Sequence, residues 1–376
     1  MRRRPFLAAL PLFASSAAPP SRAFLLRLLR ASASSAFGSP ILAALALPQR
    51  TLTFPRDFGA HPDLRTEWWY VTGFAQSQGR EFGFQLTFFR TRVDEAQPLR
   101  SKFAAKQLLF AHAALTDVQG RRLWHDQRIA REGFGVAQAD TADTRVRLRD
   151  WQLVRAPEGV YAASLPARDF GLDLRFTPTQ PALLQGRNGL SRKGPQEEQA
   201  SYYYSVPQLA VAGTLVLQGR RFAIESGKAW LDHEASEALL DPQAVGWDWI
   251  GMNLDDGSAL TAFQLRRKDG SSLWDGGSFR APGGSAYIAN QGETEFRPQR
   301  RWTSPVSGAV YPVEWMVRTP ADFYTVRAVV DDQELDSRAS TGGIYWEGLS
   351  DLFDSNGRRV GRGYLEMTGY AQRLRL

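Results

Sequence analysis

The run Trp230-Leu231-Asp232-His233-Glu234 places an imidazole between two carboxylates and beside an indole. If this run is a β-strand, alternate side chains face opposite sides, so Asp232 and Glu234 share one face and His233 shares the other with Leu231. A carboxylate from a neighbouring strand would let His233 donate or accept a proton near neutral pH. We therefore predict His233 as an acid or base, with Asp232 and Glu234 assisting. The alternative is a structural histidine that is hydrogen-bonded at the rim of a barrel.

Two further segments, Glu67-Trp68-Trp69-Tyr70 and Trp247-Asp248-Trp249, place a carboxylate among aromatic rings. Rings with interspersed acids can line a pocket for a long apolar molecule with one polar end. A barrel core whose acids bond to loop amides fits the same pattern. The run Tyr202-Tyr203-Tyr204-Ser205 can form the mouth of a pocket or a strand with its hydroxyls towards solvent. The predicted site residues from these segments are Glu67, Trp68, Trp69, Tyr70, Tyr203, Trp230, Trp247 and Trp249 for ligand binding and Asp248 for catalysis.

Several classes of enzyme are excluded or unsupported. The sequence has no Cys, which excludes disulfides, thiolate catalysis, iron–sulfur clusters and zinc held by Cys. It has no G-x-S-x-G elbow, no H-E-x-x-H motif and no Walker loop. With four His in the chain, a site made of several histidines would need most of them. We predict neither a metal site nor a cofactor.

The basic charge of the chain is concentrated at its beginning. The formal net charge is +7, but residues 1–50 hold seven Arg and no Asp or Glu. Without these seven, the 46 Lys and Arg become 39 and equal the 39 Asp and Glu. The remainder is neutral overall, so nucleic acid is not predicted as a partner.

Residues 1–50 have the features of an export leader. Arg3-Arg4-Pro5-Phe6-Leu7 resembles a twin-arginine signal. Ala44-Leu45-Ala46 fits the small-x-small pattern of a cleavage site. An organellar transit peptide or an over-extended start are the alternatives. We predict a periplasmic or secreted protein.

The elements that must position these residues are β-strands. Residues 146–153 and 170–176 alternate apolar and polar side chains, which is typical of strands that bury one face. Asp256-Gly257, Asp269-Gly270 and Asn356-Gly357 supply the residues that tight hairpin turns need. Residues 180–200 have no period and predict a long surface loop.

The chain also repeats itself. Trp69 is followed after 15 residues by Phe84-Gln85-Leu86, and Trp249 is followed after 14 residues by Phe263-Gln264-Leu265. The two ends match as well, with Trp230-Leu231-Asp232 near one and Tyr364-Leu365-Glu366 near the other. Units built from many short strands favour closed barrels or double sheets, because closure removes exposed edges. We predict an all-β protein with domains at 51–240 and 241–376.

Many ordered motifs resemble those of the family that joins AttH-like proteins with the carotenoid 1,2-hydratases. The motifs are EWWYVTG (67–73), FGFQLTFFR (82–90), AHAALTD (111–117), YYYS (202–205), GKAWLDHE (227–234), GWDW (246–249), RWTSPVSGAVYPVEW (301–315), YWEG (345–348) and GYLEMTGY (363–370). The resemblance runs from residue 57 to the end. It implies two tandem lipocalin-like antiparallel β-barrel domains, in agreement with the repeat.

The resemblance also implies two activities. The hydratases add water to an isoprenoid double bond with a His-x-Trp pair and a downstream Tyr and Asp, without metal or redox cofactor. His233 matches that histidine, but Ala235 replaces the Trp and Phe263-Gln264-Leu265 offers neither the Tyr nor the Asp. The chain is therefore more similar to the AttH-like branch, which is described as secreted hydrolases or as accessories of ABC-type transporters.

Three hypotheses follow. The first is an exported protein that binds an elongated apolar molecule, such as a lipid or isoprenoid. The second is a cofactor-independent hydratase or hydrolase acting on a lipid-like substrate, with His233 as acid or base and with Asp232, Glu234, Asp248 or Glu67 assisting. The third is a purely structural or partner-docking protein. Peripheral contact with a membrane is left open.

Overall fold

Alternation of apolar and polar residues folds this chain into strands, as the sequence predicts. The computed structural model describes residues 46–238 and 240–374. At the start of the predicted segment 146–153, Val146 and Leu148 are buried, while Arg147 and the preceding Arg145 are exposed. Across the described residues the regular structure is strand, apart from single turns of 3₁₀ helix at Arg56–Phe58 and Asp94–Ala96. The all-β prediction is confirmed.

The first sheet contains fourteen strands. They are β1 (Thr66–Ser77), β2 (Arg80–Arg92), β3 (Gln107–Asp117), β4 (Arg122–Arg131), β5 (Ala137–Ala139), β6 (Arg145–Leu148), β7 (Trp151–Arg155), β8 (Tyr161–Pro166), β9 (Phe170–Thr177), β10 (Leu183–Leu184), β11 (Leu190–Arg192), β12 (Ala200–Leu217), β13 (Arg220–Ala223) and β14 (Ser226–Ala238). Their order is β4-β3-β2-β1-β14-β12-β9-β8-β7-β6-β5, with β10, β11 and β13 paired to β12. This antiparallel sheet curls into a nearly closed barrel around buried rings such as Trp69, Phe84, Trp151 and Phe176.

The remaining strands belong to the second half of the chain. They are β15 (Ala244–Leu254), β16 (Ala259–Arg267), β17 (Ser272–Arg280), β18 (Tyr287–Ala289), β19 (Glu295–Pro298), β20 (Arg301–Thr303), β21 (Val310–Pro312), β22 (Glu314–Arg318), β23 (Phe323–Ala328), β24 (Glu334–Asp336), β25 (Ile344–Phe353) and β26 (Arg359–Met367). The main sheet has the order β18-β17-β16-β15-β26-β25-β23-β22-β19, with β24 on β25 and a separate β20-β21 hairpin. Its core contains Ile250, Trp315, Trp346 and Leu365.

The strand registers show how the two halves correspond. β14 pairs with β1 so that Asp232 lies opposite Tyr70, and β26 pairs with β15 so that Glu366 lies opposite Trp249. Aligning Asp232 with Glu366, as the matching chain ends predict, places Trp249 at the position of Tyr70. Tyr70 and Trp249 also lie in the same apolar cluster between the two halves, whereas Trp69 lies in the core of the first sheet. The match of Trp249 with Trp69 is therefore off by one position, which in a strand means the opposite face.

Outward-facing side chains of the two halves pack together in a third apolar cluster. It contains Tyr70 and Trp230 from the first half and Trp249, Phe263 and Tyr364 from the second. Gly83 permits this close approach, because a Cβ at this position would lie 2.8 Å from the Tyr364 hydroxyl and 2.9 Å from Leu349 Cβ. The outer walls of the barrels, not their interiors, therefore meet at the centre of the molecule.

Segment 180–200 is more ordered than predicted. Leu183–Leu184 and Leu190–Arg192 pair with β12, and Gln185, Ser191 and Lys193 are buried. The surface-loop prediction is wrong here, because pairing with the long strand β12 folds the segment against the barrel.

The predicted leader falls mainly on residues 1–45, outside the described residues. Pro48, near the end of the predicted leader, is described: its carbonyl oxygen accepts a hydrogen bond from the Tyr202 hydroxyl at 2.8 Å. No helix in the described part of the chain is long and apolar enough to cross a membrane.

Candidate functional site

A cavity of about 750 Å³ lies between the outer walls of the two barrels. Its lining is mainly aromatic: Trp68, Phe89 and Phe110 come from the first barrel, and Trp247, Trp249 and Phe263 come from the second. Alternation along β1 explains which side chains reach it, because Trp68 and Tyr70 point outward while Trp69 and Val71 pack inside the first barrel. The cavity is therefore lined by the outer strand faces, which a single barrel would expose to water.

Asp232 is the central polar residue of the cavity. One carboxylate oxygen, Oδ2, accepts a hydrogen bond from the Tyr203 hydroxyl at 2.8 Å. The other, Oδ1, accepts from Ser205 Oγ at 2.5 Å and from Trp230 Nε1 at 2.7 Å. Burial raises the pKa of Asp232 to about 7, although these three donors act in the opposite direction. Asp232 can therefore change its protonation state near neutral pH.

A second acid, Glu366, lines the cavity at the position equivalent to Asp232. Burial raises the pKa of Glu366 to about 7, and the charges of Asp232 and Glu234 act in the same direction. Glu347 lies opposite it on β25, and burial together with Glu366 raises the pKa of Glu347 well above its ordinary value. Glu366 and Glu347 therefore keep their protons at pH values at which exposed carboxyl groups have released theirs.

Glu234 differs from these acids because a cation accompanies it. Lys193 Nζ lies 3.1 Å from Glu234 Oε1. The same ammonium group lies 4.4 Å from the ring centroids of both Tyr203 and Phe263, which bridges the two barrels by cation–π contacts. Lys193 was missed by the sequence analysis because it lies in the aperiodic segment 180–200, whose pairing with β12 has no local signal.

Tyr70 adds a buried phenol to the cavity wall. Its hydroxyl has no hydrogen-bond partner at direct bonding distance among the described residues, and Glu347 is the acid beside it. Burial raises the pKa of Tyr70 well above its ordinary value, and Glu347 acts in the same direction, so the phenol stays protonated. A ligand with a polar end can satisfy this group, since an unpaired buried hydroxyl is costly.

His112 also faces the cavity, where its ring nitrogens lie 2.9 Å from the Tyr345 hydroxyl and 2.8 Å from Ser340 Oγ. Burial lowers the pKa of His112 to about 3. This neutral histidine therefore links the first barrel to the second through two hydrogen bonds.

His233 lies inside the first barrel and does not line the cavity. Its ring stacks on Trp69 at 4.7 Å between centroids. Its Nε2 lies 2.8 Å from Glu67 Oε1 and its Nδ1 lies 3.0 Å from the Tyr204 hydroxyl. Burial lowers the pKa of His233 even though Glu67 favours the charged form. The partner carboxylate that the sequence analysis required is therefore present, but on the opposite side of β14 from the cavity.

Glu67 is the centre of this interior network. Its Oε1 also lies 2.7 Å from His61 Nδ1, and its Oε2 accepts a hydrogen bond from Arg90 Nε at 2.8 Å. Burial raises the pKa of Glu67, but the hydrogen bonds of His233 and His61 outweigh it and hold the pKa well below its ordinary range. The second nitrogen of His61 is 2.8 Å from Asp57 Oδ1.

Donor atoms of His61, Glu67 and His233 lie within 4.8 Å of one another, which is close enough for a metal ion. Both imidazoles, however, meet the same oxygen of Glu67 at hydrogen-bonding distance, and the buried Arg90 guanidinium already neutralises that carboxylate. A carboxylate can only accept, so the ring nitrogens donate to it. This arrangement fits a proton-bearing hydrogen-bond network better than a cation site.

Asp248 likewise faces a barrel interior, that of the second barrel. It accepts hydrogen bonds from Gln264 Nε2 at 2.8 Å and from the Tyr370 hydroxyl at 2.9 Å. Burial raises the pKa of Asp248. Of the predicted residues, the cavity brings together Trp68, Tyr70, Tyr203, Asp232, Glu234, Trp247 and Trp249, with Trp230 bonded to Asp232 behind its wall. Glu67, Trp69, His233 and Asp248 lie in the barrel interiors.

Comparison with known proteins gives one family and several related folds. The model of the AttH-like family matches residues 45–370. A crystal structure of an AttH protein from Nitrosomonas europaea is 48% identical, with a TM-score of 0.81 over 86% of this chain and 99% of that one. Kievitone hydratase from Nectria haematococca is 13% identical, with a TM-score of 0.62 over 86% and 94%. CghA with Sch210972 is 11% identical, with a TM-score of 0.52 over 82% and 88%. Comparison with curated protein sequences gives no match.

Proposed function

Because the chain belongs to the AttH-like family and encloses an aromatic cavity between two lipocalin-like barrels, we propose that it binds an elongated apolar small molecule there. The ligand is a lipid or an isoprenoid with one polar end. The volume of about 750 Å³ falls in the range of small-molecule pockets. The observation that carries the proposal is the combination of aromatic walls with a small polar group made by Asp232, Tyr203 and Tyr70.

The proposed orientation follows from the distribution of polar atoms. Aromatic rings supply apolar contact area, while the free Tyr70 hydroxyl and the Asp232 carboxyl offer hydrogen bonds to a hydroxyl or carboxyl group. Tyr70 and Asp232 are opposite each other across β1 and β14, so both address the same end of a ligand. The apolar body would then lie along Trp68, Phe89 and Phe110.

Binding is tested with cis-parinaric acid, whose fluorescence rises in apolar surroundings and which accepts energy from Trp. We expect saturable binding that is lost in Thr91→Trp, which fills the cavity with an indole from a half-buried lining position. Thr177→Trp is the matched control, because Thr177 is exposed on β9 outside the cavity. Native mass spectrometry of the purified protein should also detect a copurified lipid. Equal probe binding by both Trp variants would contradict the cavity as the site.

An enzymatic role for Asp232 is the second candidate. A buried acid with a pKa of about 7 in an aromatic pocket can give a proton to a substrate and recover it from water. In a hydration, carbon takes the proton of Asp232, the adjacent carbon takes the hydroxide of a water molecule, and the remaining proton returns to the carboxylate. The neighbouring rings of Trp249 and Tyr203, linked by a hydrogen bond from Trp249 Nε1 to the Tyr203 hydroxyl at 3.3 Å, would stabilise positive charge on carbon. The kinship in fold to kievitone hydratase is compatible with this role.

This second candidate differs from the sequence-based version, which used His233 as the acid or base. It is tested by incubating the protein with unsaturated lipids in ¹⁸O-labelled water and searching for hydroxylated product. Label incorporation that disappears in Asp232→Asn would support the enzyme. Lipid binding without incorporation of ¹⁸O would support the carrier function and not the enzyme.

The place of action is part of the proposal. We place the carrier outside the cytoplasm, next to an export system for apolar molecules. The family resemblance implies this role as an accessory of an ABC-type transporter. The Arg3-Arg4 pair supports export by the twin-arginine route. Cell fractionation tests this: we expect a shortened chain in the periplasm or medium, and its loss in an Arg3→Lys, Arg4→Lys variant. A full-length chain in the cytoplasm would contradict it.

A further inference from the structure

A row of apolar side chains leads out of the cavity across the first barrel. Trp68, Phe89, Phe110 and Ile129 are successive register partners on β1, β2, β3 and β4. All four line the cavity, and the rings of Phe89 and Phe110 stack at 4.9 Å between centroids. Neighbouring strands are about 4.8 Å apart, so the row is a continuous apolar track that crosses the strands at right angles. Because β4 is the last strand of the sheet, the track ends at its edge.

The track ends at an exposed apolar surface. Ile129 is 40% exposed, and Leu99, Phe103 and Phe134 are 52%, 63% and 55% exposed. We call these four residues the docking patch. They are four of the nine exposed large apolar side chains in the described ranges, whereas soluble surfaces normally scatter such residues singly.

The docking patch is held in a defined shape. The rings of Phe103 and Phe134 stack at 5.5 Å with their planes 8° apart. Arg131, two residues after Ile129 on the same face of β4, donates from Nη1 to the Phe103 carbonyl at 2.9 Å. Its guanidinium also lies 4.1 Å from the Phe134 ring centroid. The aromatic pair is thus fixed beside the end of the track rather than hanging from a free loop.

Basic residues surround the docking patch. Residues 97–106 contain Arg100, Lys102 and Lys106 and no Asp or Glu, and all three are exposed. Arg131 adds a fourth cation, while Asp94 nearby is paired with Arg92 at 2.7 Å. Glu132 and Glu95 are the acids that adjoin the loop. Exposed aromatic and aliphatic side chains ringed by Lys and Arg are the pattern of proteins that rest on anionic lipid.

We propose that the docking patch seats the open end of the cavity on an anionic lipid surface. Phe103, Phe134 and Leu99 enter the interfacial layer, and the surrounding cations bind lipid phosphates. An apolar molecule then passes between the bilayer and the cavity along the track without crossing water. The docking step stands on the surface residues alone, whereas the passage step rests on the proposed binding function.

Vesicle flotation tests the docking. The purified full chain is mixed with phosphatidylcholine vesicles that contain or lack phosphatidylglycerol. We expect binding to the anionic vesicles, weakening with salt, and a loss of about tenfold or more in the Phe103→Ser, Phe134→Ser double variant. The Phe323→Ser, Val306→Ser double variant is the matched control, because it removes two apolar side chains elsewhere that are 53% and 73% exposed, and it should bind as the parent does.

The possible outcomes separate docking from ligand binding. The patch variant should keep its affinity for cis-parinaric acid in solution, while Thr91→Trp should lose the probe and still float with vesicles. Equal flotation of the patch variant and the control would overturn the proposal. So would a parent chain that ignores anionic vesicles and instead shows by light scattering a dimer that the patch variant lacks, since a second copy would then cover the patch.

Discussion

Asp232 and His233 are adjacent in sequence, but their side chains lie on opposite sides of the wall of the first barrel. The Asp232 carboxylate lies in the cavity with Tyr203, and the His233 imidazole lies inside the barrel with Glu67 and Trp69. The sequence analysis assigned both residues to one catalytic group, but the structure separates them. Asp232, whose pKa is near neutral, lies on the cavity side, and His233 lies in the hydrogen-bond network of the barrel interior.

Asp232 should make stability fall as pH rises from about 4 to about 7. Burial raises its pKa from 3.8 to about 7, so between about pH 4 and 7 the folded state keeps a proton that the unfolded chain has released. The free energy of unfolding therefore decreases across this window and levels off above it. Each pKa unit corresponds to about 1.4 kcal/mol, which makes the whole effect a few kcal/mol.

Asp232→Asn should flatten that pH dependence, because the amide does not titrate. Urea unfolding at several pH values measures it. Glu366 has a similar pKa and will contribute a remaining slope, so Glu366→Gln serves as the comparison variant. An unchanged slope in Asp232→Asn would assign the titration to other groups.

His233→Ala should destabilise the protein without abolishing ligand binding. The substitution removes a ring stacked on Trp69 and one of the donors to the buried Glu67, a loss of about 2–4 kcal/mol. Urea unfolding gives the stability, and cis-parinaric acid titration of the folded variant gives the affinity. His233→Gln, which can still donate to Glu67, should lose less. A stable His233→Ala protein that no longer binds the probe would return His233 to the functional site.

The two faces of β14 illustrate how much the sequence could predict. Alternation predicted that Asp232 and Glu234 share one face and that His233 and Leu231 share the other, and the structure has this arrangement. Alternation along the strand does not show which face lies in the barrel interior, because both faces of this strand are buried. For that reason the sequence could not place His233 in the barrel interior, away from the cavity.

The residues that sequence analysis missed reach the site through long-range pairing. Lys193 comes from a segment whose short strands form only against β12, and Glu366 faces the cavity because the second barrel packs its outer wall on the first. The error that matched Trp249 with Trp69 has a related cause. Strand register is set by turns and pairing partners, so similar motifs can stand one residue apart and face opposite ways.

Lys193→Met should leave a buried carboxylate without its cation. The change removes the Nζ that lies 3.1 Å from Glu234 Oε1, and breaking a buried pair from one side costs about 3–5 kcal/mol. Glu234→Gln in addition should restore much of that loss, because no uncompensated charge then remains. Urea unfolding of the two single variants and the double variant forms a double-mutant cycle. A coupling energy near zero would contradict the ion pair.

Gly251→Ala should disturb the cavity by steric contact. A Cβ at this position would lie 2.3 Å from the Trp249 ring and 3.3 Å from the Trp230 ring. Trp249 must therefore move, which costs about 1–3 kcal/mol and weakens probe binding. Gly343→Ala is the matched control at the cavity, since its Cβ would meet its nearest atom at an ordinary 3.6 Å. Similar probe affinities in the two variants would show that the position of Trp249 does not matter for binding.

Tyr70→Phe should distinguish ligands by their polar ends. The Tyr70 hydroxyl is buried in the cavity without a hydrogen-bond partner, so its removal should leave the free energy of unfolding unchanged or slightly higher. A ligand that donates or accepts a hydrogen bond there should bind about 5- to 10-fold more weakly to the variant, as expected for one lost hydrogen bond. A hydrocarbon of the same length offers no such bond and should bind equally well to both proteins. Competition of a fatty alcohol and of the corresponding alkane against cis-parinaric acid measures this difference. Loss of affinity for the alkane as well would mean that Tyr70 acts through the shape of the wall, and the polar end of the ligand would then have to be assigned to Asp232 alone.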